Sequence, residues 1–167
     1  MSNIVQILVI GASMLIATTA AKAEVISLSS MSFNVYGNHL STQDPAATNG
    51  ALEPVVATNL YSGVLLPGGQ KICRFSLVYQ DSNGLENVTA TLFRKRILVG
   101  SNALAVAQQI ASVSSTGSLG TEQIAATSVI AAPIIDNASF FYFVKIFAKN
   151  FNTIPVGVQI VVKPTCP

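Results

Sequence analysis

The sequence of 167 residues lacks tryptophan, contains one histidine and two cysteines, and has only 10% charged residues. Soluble domains usually carry about 25% charged residues. Without clustered lysine and arginine a chain has little to hold a phosphate backbone, so we expect no nucleic-acid partner. Intrinsic disorder is also excluded, because disordered chains combine low hydrophobicity with high net charge. This chain is 50% hydrophobic and has a formal net charge of +2.

The motifs of common enzyme chemistry are missing as well. The sequence has no Gly-x-Ser-x-Gly elbow, no phosphate-binding loop and no dinucleotide fingerprint. A Ser-His-Asp site would depend on His39 with Asp44, in a polar loop where a solvated histidine is the simpler interpretation. One histidine and two cysteines are too few for a familiar zinc site. The sequence therefore predicts a protein that is not an enzyme and that has no metal and no cofactor.

The N-terminus has the pattern of an export signal. The chain is apolar and uncharged from Ile4 up to Lys22, and Ala21 and Ala23 put small residues at the −3 and −1 positions of a cleavage site. We expect residues 1–23 to be a helical signal peptide, which makes the protein secreted, periplasmic or attached to the cell surface. The alternative is a retained anchor, and membrane contact would then occur only through this uncleaved leader.

The remaining residues, 24–167, are predicted to form one domain with a single hydrophobic core. Its two cysteines are Cys73 and Cys166. An even cysteine count in an exported protein favours a disulfide, with two free thiols as the alternative. The bond would close a long loop, contribute roughly 4–5 kcal/mol in the chain-entropy treatment, and fasten the C-terminal tail to the sheet.

Apolar and polar residues alternate with a period of two along most of this domain, and turn signals separate the alternating segments. About eight short strands without a helical stripe predict an all-β fold, an antiparallel β-sandwich of jelly-roll type. A long loop is expected at 37–54, and the Asn83-Gly84 turn predicts a hairpin between its flanking strands. The predicted strands cover 25–36 with a bulge, 55–66, 71–80, 87–98, 102–113, 121–130, 139–148 and 154–162.

Side-chain alternation also assigns faces to these strands. Cys73 and Phe75 are expected on one face of their strand, together with Leu77 and Tyr79. The aromatic residues of 139–148 are predicted to be mostly core, in a central strand whose second face is partly covered.

Five segments of turns and core strands have a recognisable spacing, namely Leu66–Gly69, Ser114–Gly117, Asp136-Asn137, Tyr142–Lys145 and Val156–Ile160. With this spacing the chain resembles a group of uncharacterised exported bacterial β-sandwich proteins. The resemblance covers roughly residues 60–162 and implies a fold and an exported location. It implies no activity and no functional residues.

One basic cluster stands out, formed by Arg94, Lys95 and Arg96. Along a strand, Arg94 and Arg96 point to one side and Lys95 to the other. A solvated strand end that discourages edge-to-edge pairing is the simpler interpretation. The functional interpretation is a contact for an anionic glycan, a lipid headgroup or another anionic partner.

Several functions fit this sequence. Low charge with high apolar content favours a structural or interaction protein that acts by surface contacts, associating with itself or with another exported protein. A carbohydrate-binding module is the alternative, and without tryptophan its sugar platform would use Tyr36, Tyr61, Tyr79 or Tyr142. Further alternatives are a small outer-membrane β-barrel and a fimbrial subunit that donates residues 25–35 to a neighbour.

Overall fold

The structure is a computed structural model, and its described residues form nine strands and one short 3-10 turn at Ser30–Ser32. The described ranges are 22–35, 57–98, 105–117, 120–149 and 152–167. The strands are β1 (Glu24–Ser29), β2 (Asn34–Val35), β3 (Thr58–Val64), β4 (Lys71–Asp81), β5 (Thr89–Arg96), β6 (Ala107–Ser114), β7 (Glu122–Thr127), β8 (Phe140–Ala148) and β9 (Thr153–Lys163).

The strands form two antiparallel sheets, with the order β1-β9-β4-β7 in the four-stranded sheet and β2-β3-β8-β5-β6 in the five-stranded sheet. The pairing is nested: β1 pairs with β9, β3 with β8, β4 with β7 and β5 with β6. Eight long strands paired from the outside inward in two sheets are the arrangement of a jelly roll. The predicted all-β sandwich is confirmed.

The core lies between the two sheets and is built from every second residue of the long strands. Each fully buried aliphatic or aromatic side chain contributes roughly 1.5–3 kcal/mol by leaving water. The core residues include Phe75, Leu77, Val158, Ile160 and Val162 from the four-stranded sheet and Leu60, Ala90, Leu92, Val144 and Ile146 from the five-stranded sheet.

The segment predicted as one bulged strand over 25–36 is in fact a crossing between the sheets. Residues 24–29 pair with β9, whereas Asn34 and Val35 pair with β3 in the other sheet. The 3-10 turn between them buries Ser30 completely and directs Phe33 into the core. The change of alternation after Ser29 therefore marks a change of sheet. The strand considered for donation to a neighbour pairs here within its own chain.

The predicted hairpin between 71–80 and 87–98 is wrong, because these strands belong to different sheets. β4 pairs with β7 and β9, and β5 pairs with β6 and β8. Residues 82–88 arch from one sheet to the other. The Asp81 carboxylate, fully buried, accepts hydrogen bonds from the Asn83 backbone N–H and the Ser115 hydroxyl. Asp81 thereby ties this arch to the turn after β6.

A bulge also changes the predicted face of Cys73. Ile72 pairs with Val162 and Arg74 with Val161, so Cys73 is the extra residue in β4. Ile72 and Phe75 both point inward as a result, and the Cys73 side chain lies half-buried at the margin. A bulge places two residues opposite one and breaks the alternation locally, which a strict period of two does not anticipate.

Candidate binding face

The disulfide between Cys73 and Cys166 is present, with Cα atoms 5.2 Å apart. It joins the bulge of β4 to the tail that follows β9, close to the Lys71–Lys163 pair at the end of the ladder. The bond holds the tail against the four-stranded sheet, as the sequence predicted. Both sulfurs are committed to this bond, and the described residues contain no free thiol.

The structure separates the three residues of the basic cluster. Arg94 lies over the ring of Phe140, with its guanidinium carbon 4.3 Å from the ring centroid, and its Nε donates to Gln108 Oε1 at 2.9 Å. Arg94 and Arg96 line a small groove at the end of the sandwich with Leu98 and Phe140. Lys95 lies on the opposite side of β5, so the three cations do not share one surface.

Lys95 belongs to the outer face of the five-stranded sheet, and this face is unexpectedly aromatic. Phe93 and Phe143 lie opposite each other on β5 and β8, with ring centroids 5.2 Å apart and planes within 12° of parallel. The ring of Tyr61 on β3 continues the row, 6.4 Å from that of Phe143. We call this surface the aromatic face, formed by Tyr61, Phe93, Phe141, Phe143 and Phe147.

The aromatic face corrects the prediction that the rings of 139–148 are mostly core. In β8 only Tyr142 is a fully buried ring, and its hydroxyl accepts a hydrogen bond from the Asp136 backbone N–H at 2.9 Å. Phe141 is 52% exposed and Phe147 is 36% exposed. β8 is the central strand of its sheet, as predicted, but it has aromatic residues on both faces, and the outward rings have no second layer over them among the described residues.

Beside the rings, β5 and β6 present paired hydroxyl groups. The Thr89 and Ser114 hydroxyls form an exposed pair 2.8 Å apart, and the exposed Ser112 hydroxyl lies 3.2 Å from that of Thr91, which is buried. Each pair joins residues directly opposite each other in the ladder. The outer face therefore combines an apolar row across β3, β8 and β5 with a strip of polar groups along its β6 side.

A recess interrupts the row at Gly63. This glycine lies opposite Phe143 in the β3–β8 ladder, beside Tyr61. A Cβ added at Gly63 would meet no atom within 4 Å, so the space next to the Phe143 ring is open.

Charge on this sheet is of one sign. Its five strands contain Arg94, Lys95, Arg96 and Lys145 and no aspartate or glutamate. Lys145 lies opposite Thr91, and Lys95 lies opposite Phe141. The ion pair seen in the described residues, Lys149 with Glu86, lies beyond the end of β8 and involves neither of these lysines.

The outer face of the four-stranded sheet differs in having no ring among its described positions and in its charge. It mixes aliphatic residues with serine and glutamine, and Val25 is 56% exposed and Ile124 58% exposed. Arg74 at one end of β4 and Glu122 at the start of β7 give it charges of both signs at opposite ends. A shallow groove of about 280 Å³ crosses it beside Val78.

Other predicted candidates are buried or fall outside the described residues. Tyr79 and Tyr142 are 2% and 3% exposed, so neither can be a platform. Tyr36, His39 and the 37–54 loop lie outside the described residues, as does nearly all of the predicted signal peptide. Among the residues that are described, no three His, Cys, Asp or Glu side chains come together as metal ligands, and no helix is long and apolar enough to cross a bilayer.

No family model matches this sequence, and no curated protein matches it. The solved structures to which this chain is similar include three of low identity. One is a xylan-binding domain from carbohydrate-binding module family 22, at 11% identity, a TM-score of 0.42, and coverage of 92% of this chain and 93% of that chain. Because their TM-scores are below 0.5, neither this likeness nor the two that follow carries an inference about ligand or partner.

The second is the TNF Eiger from S. frugiperda, at 11% identity, a TM-score of 0.38, and coverage of 90% and 89%. The third is TmCBM61, solved in complex with beta-1,4-galactotriose, at 13% identity, a TM-score of 0.32, and coverage of 83% of each chain.

Proposed function

We propose that this protein is an exported, non-enzymatic binding module that holds a glycan chain on its aromatic face. The observation that carries the proposal is the row of Tyr61, Phe143 and Phe93, which crosses three neighbouring strands on the outside of the sheet. Pyranose rings present C–H groups on their flat faces and hydroxyl groups at their edges. An apolar row bordered by hydroxyl pairs offers both kinds of contact.

The disulfide supports export. Structural disulfides persist in oxidising compartments and are rare in the cytosol. The Cys73–Cys166 bond is therefore the bond expected of a secreted, periplasmic or cell-surface protein. The apolar segment before Lys22, interpreted as a signal peptide, supports the same location.

The test is a binding measurement on the purified, oxidised protein against a panel of soluble polysaccharides by affinity gel electrophoresis and calorimetry. The double variant Phe93→Ala/Phe143→Ala removes the centre of the row and should abolish binding. Leu85→Ala, an exposed apolar truncation in the arch between the sheets and outside both outer faces, is the control and should bind as the unaltered protein does.

Gly63→Val provides a second variant that does not remove a ring. Its Cβ would meet no atom within 4 Å, so we expect the fold to be retained, while the added side chain beside Phe143 would obstruct a bound chain. Retained binding by both the ring variant and Gly63→Val would contradict the proposal, as would failure of the unaltered protein to retain any polysaccharide in the panel.

Association of two copies through the outer face of the four-stranded sheet is a second candidate function. A two-fold axis running across the strands would place Arg74 of one copy against Glu122 of the other and cover Val25 and Ile124. Self-pairing of the aromatic face is less favourable, because it would bring cations together without acids. The four-stranded face is therefore where the self-association predicted from composition fits best.

Light scattering over a wide concentration range tests this second function. Arg74→Glu should convert a dimer to a monomer, and adding Glu122→Arg in the same chain should restore the dimer by reversing both charges. A strict monomer at high concentration contradicts the candidate, and so does a dimer that the single charge reversal leaves intact.

A further inference from the structure

The two lysines on the aromatic face occupy positions that select a class of glycan. Phe93 and Phe143 face each other across the β5–β8 ladder. Lys95 follows Phe93 by two residues on β5, and Lys145 follows Phe143 by two residues on β8. Because the strands are antiparallel, the two lysines lie on opposite sides of the ring pair, each displaced about 7 Å along its strand.

A sugar packed on the ring pair would therefore have one ammonium group ahead of it and one behind it. Lys145 lies between Phe143 and Phe147 along β8, and Lys95 lies opposite Phe141. Both are half-buried among rings, which holds their stems against apolar surface and leaves the charged heads toward solvent.

No carboxylate in this sheet competes for these cations. The described strands β2, β3, β5, β6 and β8 contain no aspartate or glutamate, and neither lysine forms an ion pair with a described residue. A face with cations and no nearby carboxylates has a positive electrostatic potential. This potential attracts a negatively charged ligand and repels the same face of a second copy.

We infer that the aromatic face recognises an acidic polysaccharide, with the sugar ring on Phe93 and Phe143 and its neighbouring anionic groups at Lys95 and Lys145. This inference rests on the proposed glycan binding and names the ligand class for it. An anionic lipid surface fits less well, because the rings lie on the flat of a sheet beside a polar strip and do not project from loop tips.

The experiment compares two forms of one polymer, polygalacturonate and its highly methyl-esterified form, which share a backbone and differ in charge. The full-length oxidised protein should bind the free-acid form about tenfold more tightly in low salt, and the difference should shrink as ionic strength rises. Lys95→Gln/Lys145→Gln should weaken binding of the free-acid form about tenfold and leave binding of the esterified form unchanged.

Arg96→Gln is the matched control, since it removes an exposed cation next to Lys95 in sequence but on the other side of β5, and it should change neither affinity. Heparin and alginate are the second arm, and they separate recognition of sulfate from recognition of carboxylate. If either polymer binds tightly and Lys95→Gln/Lys145→Gln weakens that binding, the acidic class of ligand is also supported. Vesicles of phosphatidylserine with phosphatidylcholine are the third arm.

The failures are distinguishable. Equal affinity for the free and esterified polymers, unchanged by the lysine variant, overturns the acidic class while glycan binding stands. Lysine-dependent binding of vesicles without binding of any polysaccharide overturns both the acidic class and the glycan. If neither polymers nor vesicles bind, both proposals are overturned.

Discussion

The two outer faces of this sandwich are built on the same jelly-roll frame but are chemically opposite. The strands of the four-stranded sheet carry three cations and three acids, and aliphatic, serine and glutamine side chains cover its outer face. The strands of the five-stranded sheet carry four cations and no acid, and rings cover its outer face. The shared core explains the fold, so the difference between the faces is where a function separate from folding is to be found.

The largest expected effect is the loss of the disulfide, which belongs to the four-stranded sheet. Cys73→Ser/Cys166→Ser should lower the free energy of unfolding by roughly 2–5 kcal/mol, because the unfolded chain gains the freedom of an open loop. Chemical denaturation measures this loss. Hydrogen exchange should show protection decreasing first at the end of the β4–β9 ladder, and an equal first loss in β8 would contradict this assignment.

Leu92 and Phe93 are adjacent in β5, and they test the difference between inner and outer faces directly. Leu92 is fully buried, and Leu92→Ala should cost about 2–5 kcal/mol through lost burial and the cavity left behind. Phe93→Ala removes an outer ring and its stacking contact with Phe143, and should lower the free energy of unfolding by about 0.5–1.5 kcal/mol. Thermal unfolding of both variants checks the order, and a larger loss for Phe93→Ala would mean that the aromatic face is structural.

Two glycines, one in each sheet, should change stability in opposite directions when each is replaced by alanine. A Cβ at Gly157 would lie 2.6 Å from the Leu28 carbonyl oxygen, so Gly157→Ala should push β1 away from β9 and cost roughly 1–3 kcal/mol. Gly63→Ala meets nothing and should raise stability by about 0.4–1 kcal/mol, because the unfolded chain loses freedom. Denaturation midpoints measure both, and equal shifts would contradict the difference in packing.

The smallest effect concerns pH. Hydrogen bonds from the Ser139 side chain and from the Ser139 and Ala138 N–H groups, with Arg94 nearby, hold the pKa of Asp136 below 3.8, against an opposing effect of burial. Because the folded pKa is the lower one, ionised Asp136 stabilises the fold above pH 3.8, and this contribution is lost as the pH falls through the lowered value. Asp136→Asn should be slightly less stable at neutral pH and match the unaltered protein in acid.

Much of the fold could be predicted from the sequence, because burial of one side of a sheet makes apolar and polar residues alternate with a period of two along each strand. The common face of Phe75, Leu77 and Tyr79, which the structure buries, followed from that pattern. Strand partners did not, since alternation gives a face but not a neighbour: β4 and β5, adjacent in sequence, lie in different sheets. The register change after Ser29 was interpreted as a bulge for the same reason.

The candidate site was harder to predict than the fold. Phe143 lies in a run where aromatic residues occupy both faces, so composition alone suggested core. The outward position of Phe143 becomes clear only when Val144 is known to point inward. Its row with Phe93 and Tyr61 becomes clear only when β8 is known to lie between β5 and β3. The lysines needed the same information, because the visible triplet Arg94–Arg96 divides between two surfaces and Lys145 is remote in sequence.

The nested pairing of the strands also constrains the order in which the molecule can fold. The strand at Glu24–Ser29 pairs with Thr153–Lys163, so its ladder cannot close until Thr153–Lys163 has also left the ribosome. Topologies dominated by such distant pairings fold slowly. Each nascent molecule therefore passes through a period in which Glu24–Ser29 has been synthesised and its ladder partner has not, and the open edge of the sheet can pair with other chains until that partner arrives.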